Sequence, residues 1–406
     1  MNFLGIIVEY NPFHNGHLYH LEESKKKTNA DYVVAVMSGN FTQRGEPAIF
    51  DKWTRTKMAL TMGVDLVLEL PTLFAVNNAE IFAFGAIHLL NSLGLIDCVV
   101  FGSEIGDIDI LHKIADVLVN EPDQYKFLLK SELKKGYTYP KAVSNSLKKY
   151  LNITQEKQEI LTPNNILSIE YLKTLKKIKS PIIPYTIKRF KVGYHDTAIK
   201  GNIASATAIR QYIKNENALF FNVIPLEIAQ IIEEEKKLGK GPIFIEDFEK
   251  IIIYKLKTSS KKELTNFLDI NEGLENRIIE VLCNSASLNE VMLGIKTKRY
   301  TLSRIRRFLI HLMLGITRDD IYFYKELGPL YLRVLGFNQK GREILKKIKK
   351  HCSLPIITKI SETNKLESTS KKLLDMDILA EKIYGIAYPD PRWRKSSLLY
   401  REPIIF

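Results

Sequence analysis

Two histidines three residues apart, His14 and His17, flank Gly16 in the segment Ile7-Val8-Glu9-Tyr10-Asn11-Pro12-Phe13-His14-Asn15-Gly16-His17-Leu18-Tyr19-His20. Imidazoles at this spacing can converge on the same oxygens, and Gly16 lets the backbone approach a ligand closely. Gly5 to Val8 is a short apolar run with the pattern of a fully buried strand. Asn11-Pro12 breaks it, because proline disfavours a helical residue before it and lacks a backbone donor. From His17 onward, Leu18 and Leu21 among Glu22, Glu23 and Lys25 mark an amphipathic helix. His14 to His17 therefore fall in a strand-to-helix turn, where backbone N–H groups and the helix dipole can receive a phosphate. A solvated turn is the alternative, and the strand before and helix after weigh against it. The three glycines of a dinucleotide-binding turn and the Gly-Lys-Ser/Thr of a P-loop are both missing from this turn.

A second segment, Ile203-Ala204-Ser205-Ala206-Thr207-Ala208-Ile209-Arg210, suits the same chemistry. Ser205 or Thr207 can cap a helix starting here, and its free N–H groups would face an anion. Arg210 adds a permanent cation with bidentate reach to phosphate. Taken alone, this segment reads equally as a capped surface helix. Together the two segments resemble the motifs of the nucleotidylyltransferase superfamily, His-x-Gly-His and Ser-Ser-Thr-x-Ile-Arg. Ser205, Thr207, Ile209 and Arg210 match, and Ala206 replaces the second serine.

The elements that must hold these residues follow in order. Tyr32 to Met37 is a second buried strand, ending at Ser38-Gly39-Asn40. Asp51 caps a helix running to Met62, Val64 to Leu70 is a third strand, Ala79 to Leu93 a helix, and Cys98 to Gly102 a fourth strand. Alternating strands and helices make a Rossmann-like, doubly wound parallel α/β sheet, whose ligands gather at the strands' carboxyl ends. From about 107 to 177 the periodicity becomes helical, and a strand returns at Pro181 to Ile187. The expected organisation is thus a nucleotide-binding domain over 1–215 with a helical insertion at about 107–177. A helical, basic region without strand alternation follows over 216–406.

The 406 residues carry a formal charge of +13, with 45% hydrophobic and 26% charged residues, and a pI near 9.3. Such a surplus points to a polyanion, nucleic acid before an anionic membrane, although a lysine-rich genomic bias would give the same sign. Cys98, Cys283 and Cys352 have no paired spacing, which fits neither a disulfide framework nor a zinc site and indicates a reducing compartment. No apolar run of membrane-spanning length occurs and no signal peptide is expected, so a cytoplasmic protein without a membrane partner is expected. In the stretch from Lys296 to Phe308, Lys298, Arg299, Arg304, Arg306 and Arg307 cluster beside Tyr300, as a phosphate-backbone contact that also stacks bases would. Arg304, Arg307 and His311 share one helix face. The lysines from Lys340 to Lys350 read as a solvated face, and Arg392-Trp393-Arg394 is a weaker candidate for RNA contact.

Longer motifs carry a closer resemblance. Val8 to His17, Val36 to Ala48, Lys52 to Ala59, Phe101-Gly102-Ser103-Glu104, Pro163-Asn164-Asn165-Ile166-Leu167, Tyr194-His195-Asp196 and Ile203 to Thr207 together resemble the bacterial tRNA(Met) cytidine acetate ligase family. The likeness continues from Tyr300 to Arg307. It implies activation of acetate with ATP to acetyl-adenylate and pyrophosphate, then transfer to the exocyclic amine of the wobble cytidine in elongator tRNA(Met). It places ATP on residues 7 to 20, Gly102, Asn164 or Asn165, and Arg189, with magnesium bridging the phosphates. The residue chemistry agrees: His14, His17 and Arg210, helped by Ser205 and Thr207, can neutralise the phosphates at the reacting centre. No carboxylate cluster marks a dedicated metal cage. A plain adenylyl- or cytidylyltransferase acting on a phosphorylated metabolite shares the phosphate motifs, as would a non-catalytic RNA-binding protein with this fold.

Overall fold

The computed structural model describes residues 1–153, 160–189, 203–271, 273–396 and 401–406. Tyr194-His195-Asp196 lies outside the described residues. In chain order the first part reads β1 (Phe3–Val8), α1 (Asn15–Thr28), β2 (Tyr32–Ser38), α2 (Lys52–Thr61), β3 (Leu66–Leu70), α3 (Ala79–Ser92) and β4 (Cys98–Ser103). Four helices follow, α4 (Ile108–Asn120), α5 (Asp123–Lys134), α6 (Tyr139–Tyr150) and α7 (Pro163–Lys177), then β5 (Ile183–Lys188) and α8 (Ala206–Lys214). The expected alternation and the helical insertion are both present. The first helix starts two residues earlier than its apolar spacing suggests, because His14 itself is the cap.

Strands β5, β4, β1, β2 and β3 lie side by side and parallel. The chain grows outward from β1 first towards β3 and then towards β5, so the crevice between β1 and β4 is the switch point where such sheets bind ligands. Residues alternate between the two faces with period two. Val34, Val36, Leu66 and Leu68 enter one apolar core, while Val33, Ala35, Met37 and Val67 enter the other.

The region after 216 contributes the helices α9 (Leu226–Lys237), α10 (Glu249–Thr258), α11 (Leu274–Cys283), α12 (Leu288–Ile295), α13 (Leu302–Leu314) and α14 (Arg318–Leu327). It also contributes strands, which corrects the expectation of helix alone. β6 (Leu332–Phe337) pairs antiparallel with β3, followed by α15 (Gln339–His351), β7 (Ile356–Ile357), α16 (Ser368–Ile386) and β8 (Ile404–Ile405). Both β7 and β8 pair parallel with β6. The strand was hidden by Arg333, a charge in the middle of an otherwise apolar run.

Arg333 is buried because its charge is met there. Its guanidinium lies 3.1 Å from Glu69 and 3.2 Å from Glu381. Lys52 Nζ stands 2.8 Å from each of the same two carboxylates, and Trp53 Nε1 donates to Glu381 at 2.8 Å. Two cations therefore share two anions, tying α2 and β3 to β6 and α16. Burial opposes ionisation of Glu381, but Lys52 and Arg333 outweigh it and hold the carboxyl at about 2.

Candidate active site

A cavity of about 600 Å³ opens at the carboxyl ends of the parallel strands, within the size range of ligand pockets. From the expected segment it is lined by Ile7, Val8, Glu9, Tyr10, His14, Gly16, His17 and His20. Asn11, Pro12, Phe13, Asn15, Leu18 and Tyr19 are not among the lining residues. Asn11 and Phe13 are buried in the scaffold, with Asn11 Oδ1 accepting from Ile49 N–H at 2.8 Å, and Leu18 and Tyr19 pack on the apolar core.

His14 caps α1, its Nδ1 accepting the Gly16 N–H at 3.0 Å. An accepting Nδ1 carries no proton, so the neutral ring holds its hydrogen on Nε2. The His14 and His17 rings stack with centroids 3.7 Å apart, and Tyr10 meets His17 edge-on at 5.0 Å. Burial, then the charges of Arg189 and Arg210, push His14 down to about 3. Burial and Arg189 bring His20 to about 4, and His17 lies well below its usual value for the same reasons and its proximity to His14. Nδ1 of His17 and Nε2 of His20 are buried without a hydrogen-bond partner. Three neutral imidazoles, two of them with an unmatched buried nitrogen, lying near guanidinium groups, form a seat for a polyanion.

Gly102 and Arg189 meet at this end: a Cβ on Gly102 would come within 3.1 Å of Arg189 Cγ. Both line the cavity, as does Asn164. Asn165 does not, for its amide is spent elsewhere. Its Oδ1 accepts from Glu104 N–H and Ile105 N–H at 2.9 and 3.1 Å, and its Nδ2 donates to Ile160 O at 3.0 Å. Glu104 in turn accepts from Asn164 Nδ2 at 2.6 Å and from Thr162 Oγ1 at 2.7 Å, fixing the start of α7 against the end of β4.

The second motif arrives beside the first but outside the lining. Ser205 caps α8 by accepting from Ala208 N–H at 3.1 Å. Arg210 donates to Asn11 O at 3.1 Å, to Thr207 Oγ1 at 3.3 Å and to Glu46 at 3.2 Å. Its charge reaches His14, yet its fork is occupied by Asn11, Thr207 and Glu46.

Sequence reasoning assigned the remaining lining no role at the nucleotide and read Arg307 as an RNA contact. Gln43, Arg44, Phe82, Tyr171, Thr301, Ser303 and Arg307 all line the cavity. Gly45 shows why the two halves meet here: at φ +73, a Cβ would stand 2.2 Å from Arg307 N, so only glycine lets this loop rest on α13. The basic cluster expected on an open RNA face is largely engaged inside the protein. Arg306 pairs with Glu46, Arg304 pairs with Asp269 at 3.0 Å and stacks on Tyr300, and Arg307 lies 3.8 Å from Asp269. His311 is buried and bonded to Val76 O at 2.6 Å. Lys298 and Arg299 are exposed. Arg392 pairs with Asp390, and Trp393 and Arg394 bond to nearby carbonyls.

Among the described residues no cluster of three or more His, Cys, Asp or Glu could hold a metal ion, and no helix is long and apolar enough to cross a membrane.

The sequence model of the HIGH nucleotidyl transferases matches residues 1–397. The chain is 46% identical over 416 residues to the tRNA(Met) cytidine acetate ligase of Acetivibrio thermocellus, with both chains fully covered. It is 49% identical over 408 residues to that of Caldanaerobacter subterraneus subsp. tengcongensis, again with full coverage of both. Among solved structures it resembles apo TmcAL of Thermotoga maritima with TM-score 0.95 at 37% identity, covering 100% of each chain. The same protein bound to alpha-thio ATP matches with TM-score 0.92 at 37% identity, covering 100% of this chain and 99% of that one. With this likeness running its whole length and the His-x-Gly-His turn seated on the expected sheet, the chain belongs to the tRNA(Met) cytidine acetate ligase family of HIGH nucleotidyl transferases.

Proposed function

We propose that the chain is an ATP-dependent ligase that converts acetate to acetyl-adenylate and passes the acetyl group to N4 of the wobble cytidine of elongator tRNA(Met), forming N4-acetylcytidine in the cytoplasm. The observation that carries this reading is the row of three neutral imidazoles at the switch point of a sheet shared along its whole length with a structure that binds an ATP analogue.

In the first step an acetate oxygen attacks the α-phosphorus and pyrophosphate departs. His14 donates from Nε2 to a phosphate oxygen, and His17 and His20 offer further ring nitrogens beside it. Donors already in place at developing charge lower the barrier without reorganisation. Arg210 adds positive charge behind His14, with Ser205 and Thr207 fixing the helix that carries it. Gly102, Asn164 and Arg189 hold the nucleoside end, Asn165 acting from behind as a brace. Residues 7 to 20 supply the floor. Magnesium travels with the triphosphate: among the described residues Glu9 is the one carboxylate in the lining, and its Oε1 already accepts the Gln43 N–H at 2.7 Å. One carboxylate makes no cage, and no step is assigned to the metal.

In the second step the cytidine amine attacks the acyl carbon, AMP leaves, and the amine loses a proton. The mixed anhydride is reactive, so proximity and exclusion of water suffice. The target base must be unstacked to reach the site, as anticodon-loop bases can be. Lys298 and Arg299 remain exposed for RNA contact, whereas Arg304, Arg306 and Arg307 serve the joint between the two parts of the chain and, in the last case, the cavity.

The test is acetate-dependent exchange of labelled pyrophosphate into ATP. Exchange with acetate alone supports the ligase. Exchange that needs a phosphorylated acceptor would instead indicate an adenylyl- or cytidylyltransferase, and no exchange a non-catalytic RNA-binding protein.

A further inference from the structure

The cavity lining contains two chemically different groups of residues. His14, His17, His20, Gly102 and Arg189 line the part assigned above to the nucleotide, with Arg189 lying against Gly102. A second part of the lining is assembled around the loop after β2. Gln43 N–H donates to Glu9, and Gln43 Nε2 donates to Asn77 O at 3.1 Å, immediately before α3. Gly45 rests on the backbone of Arg306 and Arg307. The loop after β2 thus joins the start of α3, with Ala79 and Phe82, to the N-terminal half of α13, with Thr301, Ser303 and Arg307, where all five residues line the cavity.

This part of the lining pairs a cation with an apolar stop. The Arg307 side chain is 14% exposed, and its partner Asp269 lies 3.8 Å away while meeting Arg304 at 3.0 Å. Asp269 is thereby matched chiefly by Arg304, leaving the Arg307 fork for an anion. Thr301 and Ser303 add hydroxyls. Phe82, 3% exposed, and Ala79 stand on the same face of α3, three residues apart.

Resting on the ligase reading above, we propose that this part of the lining is the acyl subsite: Arg307, with the hydroxyls of Thr301 and Ser303, holds the carboxylate of the acid, and Phe82 with Ala79 limits its chain length. A guanidinium suits a carboxylate, since its planar fork can bind both oxygens. It also offsets repulsion between the acid and the triphosphate as the two anions approach. The carboxylate oxygen forms a bond to the α-phosphorus, the bond from that phosphorus to the bridging oxygen breaks, and pyrophosphate takes the electron pair. No proton is transferred. The methyl group then points at Phe82, where a longer chain meets the ring.

The experiment measures pyrophosphate exchange with acetate, propionate and butyrate, together with ATP affinity by equilibrium dialysis. Arg307→Gln raises KM for acetate by about tenfold or more while ATP affinity stays within about twofold. Phe82→Ala shifts the butyrate-to-acetate ratio of kcat/KM upward by about tenfold or more, the scale expected for added methylenes in an apolar pocket. Ala79→Leu, at a partly exposed position that need not disturb folding, raises KM for acetate and leaves ATP affinity intact. An unchanged acetate KM in Arg307→Gln, or equal loss of ATP affinity, overturns the carboxylate role. Unmoved chain-length preference in Phe82→Ala with acetate KM unmoved in Ala79→Leu overturns the stop. If the wild-type chain shows no exchange with any of these acids, the ligase reading fails and takes this one with it.

Discussion

His14 accepts the N–H of Gly16 through Nδ1 at 3.0 Å, so the side chain that caps α1 is the same one that faces the cavity. Capping fixes the ring's orientation and tautomer, and the hydrogen left on Nε2 is the one available to a phosphate. Replacing His14 by alanine removes both roles. Acetate-dependent pyrophosphate exchange is expected to fall by about 10²–10³-fold, the scale of losing one preorganised donor. The lost cap costs about 1 kcal/mol in urea unfolding. A fully active His14→Ala protein would refute the site.

The depressed imidazoles make stability depend on pH. Their folded values, about 3 for His14 and about 4 for His20, lie below the ordinary value. The unfolded chain therefore binds protons first as pH falls. The stabilisation is fully present above about pH 6.5 and is lost progressively towards the folded values, with His14 alone contributing a loss of about 2 kcal/mol between pH 7.5 and pH 5. Urea unfolding at the two pH values checks this. His14→Gln is expected to flatten the dependence, and an unaltered slope would mean that the ring is not held neutral.

Glu381 lies between Lys52, Arg333 and Trp53. Removing it in Glu381→Ala leaves two buried cations with one shared carboxylate, and the expected loss is about 3–5 kcal/mol. Denaturant titration reads this directly. A loss near that of an exposed ion pair would show that water enters the network.

Gly45 allows the loop after β2 to touch α13, and Gly45→Ala would need both a left-handed alanine and a backbone displacement. A stability loss of about 1–3 kcal/mol is expected from the strain. Exchange activity with acetate should fall alongside it, because Arg44 and Arg307 flank the contact. Near-normal stability and activity together would show that the two segments separate at little cost.

Charge reversal of Lys298 and Arg299 together is expected to weaken tRNA binding and reduce its salt dependence by about one to two units of log–log slope. Pyrophosphate exchange should remain as in the wild type. Unchanged tRNA affinity would move the RNA surface to another part of the molecule.

Much of this arrangement could be read from local pattern. β1 and the body of β2 are uninterrupted apolar runs, and Asp51 and Ser205 announce their helices by cap chemistry, with Asp51 Oδ1 accepting from Thr54 N–H at 2.7 Å. The His-x-Gly-His turn needed only a strand before it and a helix after it. What escaped depends on partners far away in sequence. Arg333 looks out of place in a strand until Glu69 and Glu381 are beside it. Arg304, Arg306 and Arg307 look like a free cationic face until Asp269 and Glu46 approach. Asn164 and Asn165 are indistinguishable as letters, and only the fold turns one towards the cavity and the other into a brace. The proposed acyl subsite joins α3 to α13, elements more than two hundred residues apart, and no periodicity records that meeting.

β3 shares its outer edge with β6, and β6 in turn holds β8, with Phe406 N–H donating to Phe337 O at 3.0 Å. During synthesis, then, the nucleotide-binding sheet emerges from the ribosome with a bare hydrogen-bonding rim that stays open until the last third of the protein has been made. A fragment ending at residue 215 would keep that rim permanently and would tend to associate through it, so solubility depends on a strand encoded more than a hundred residues downstream.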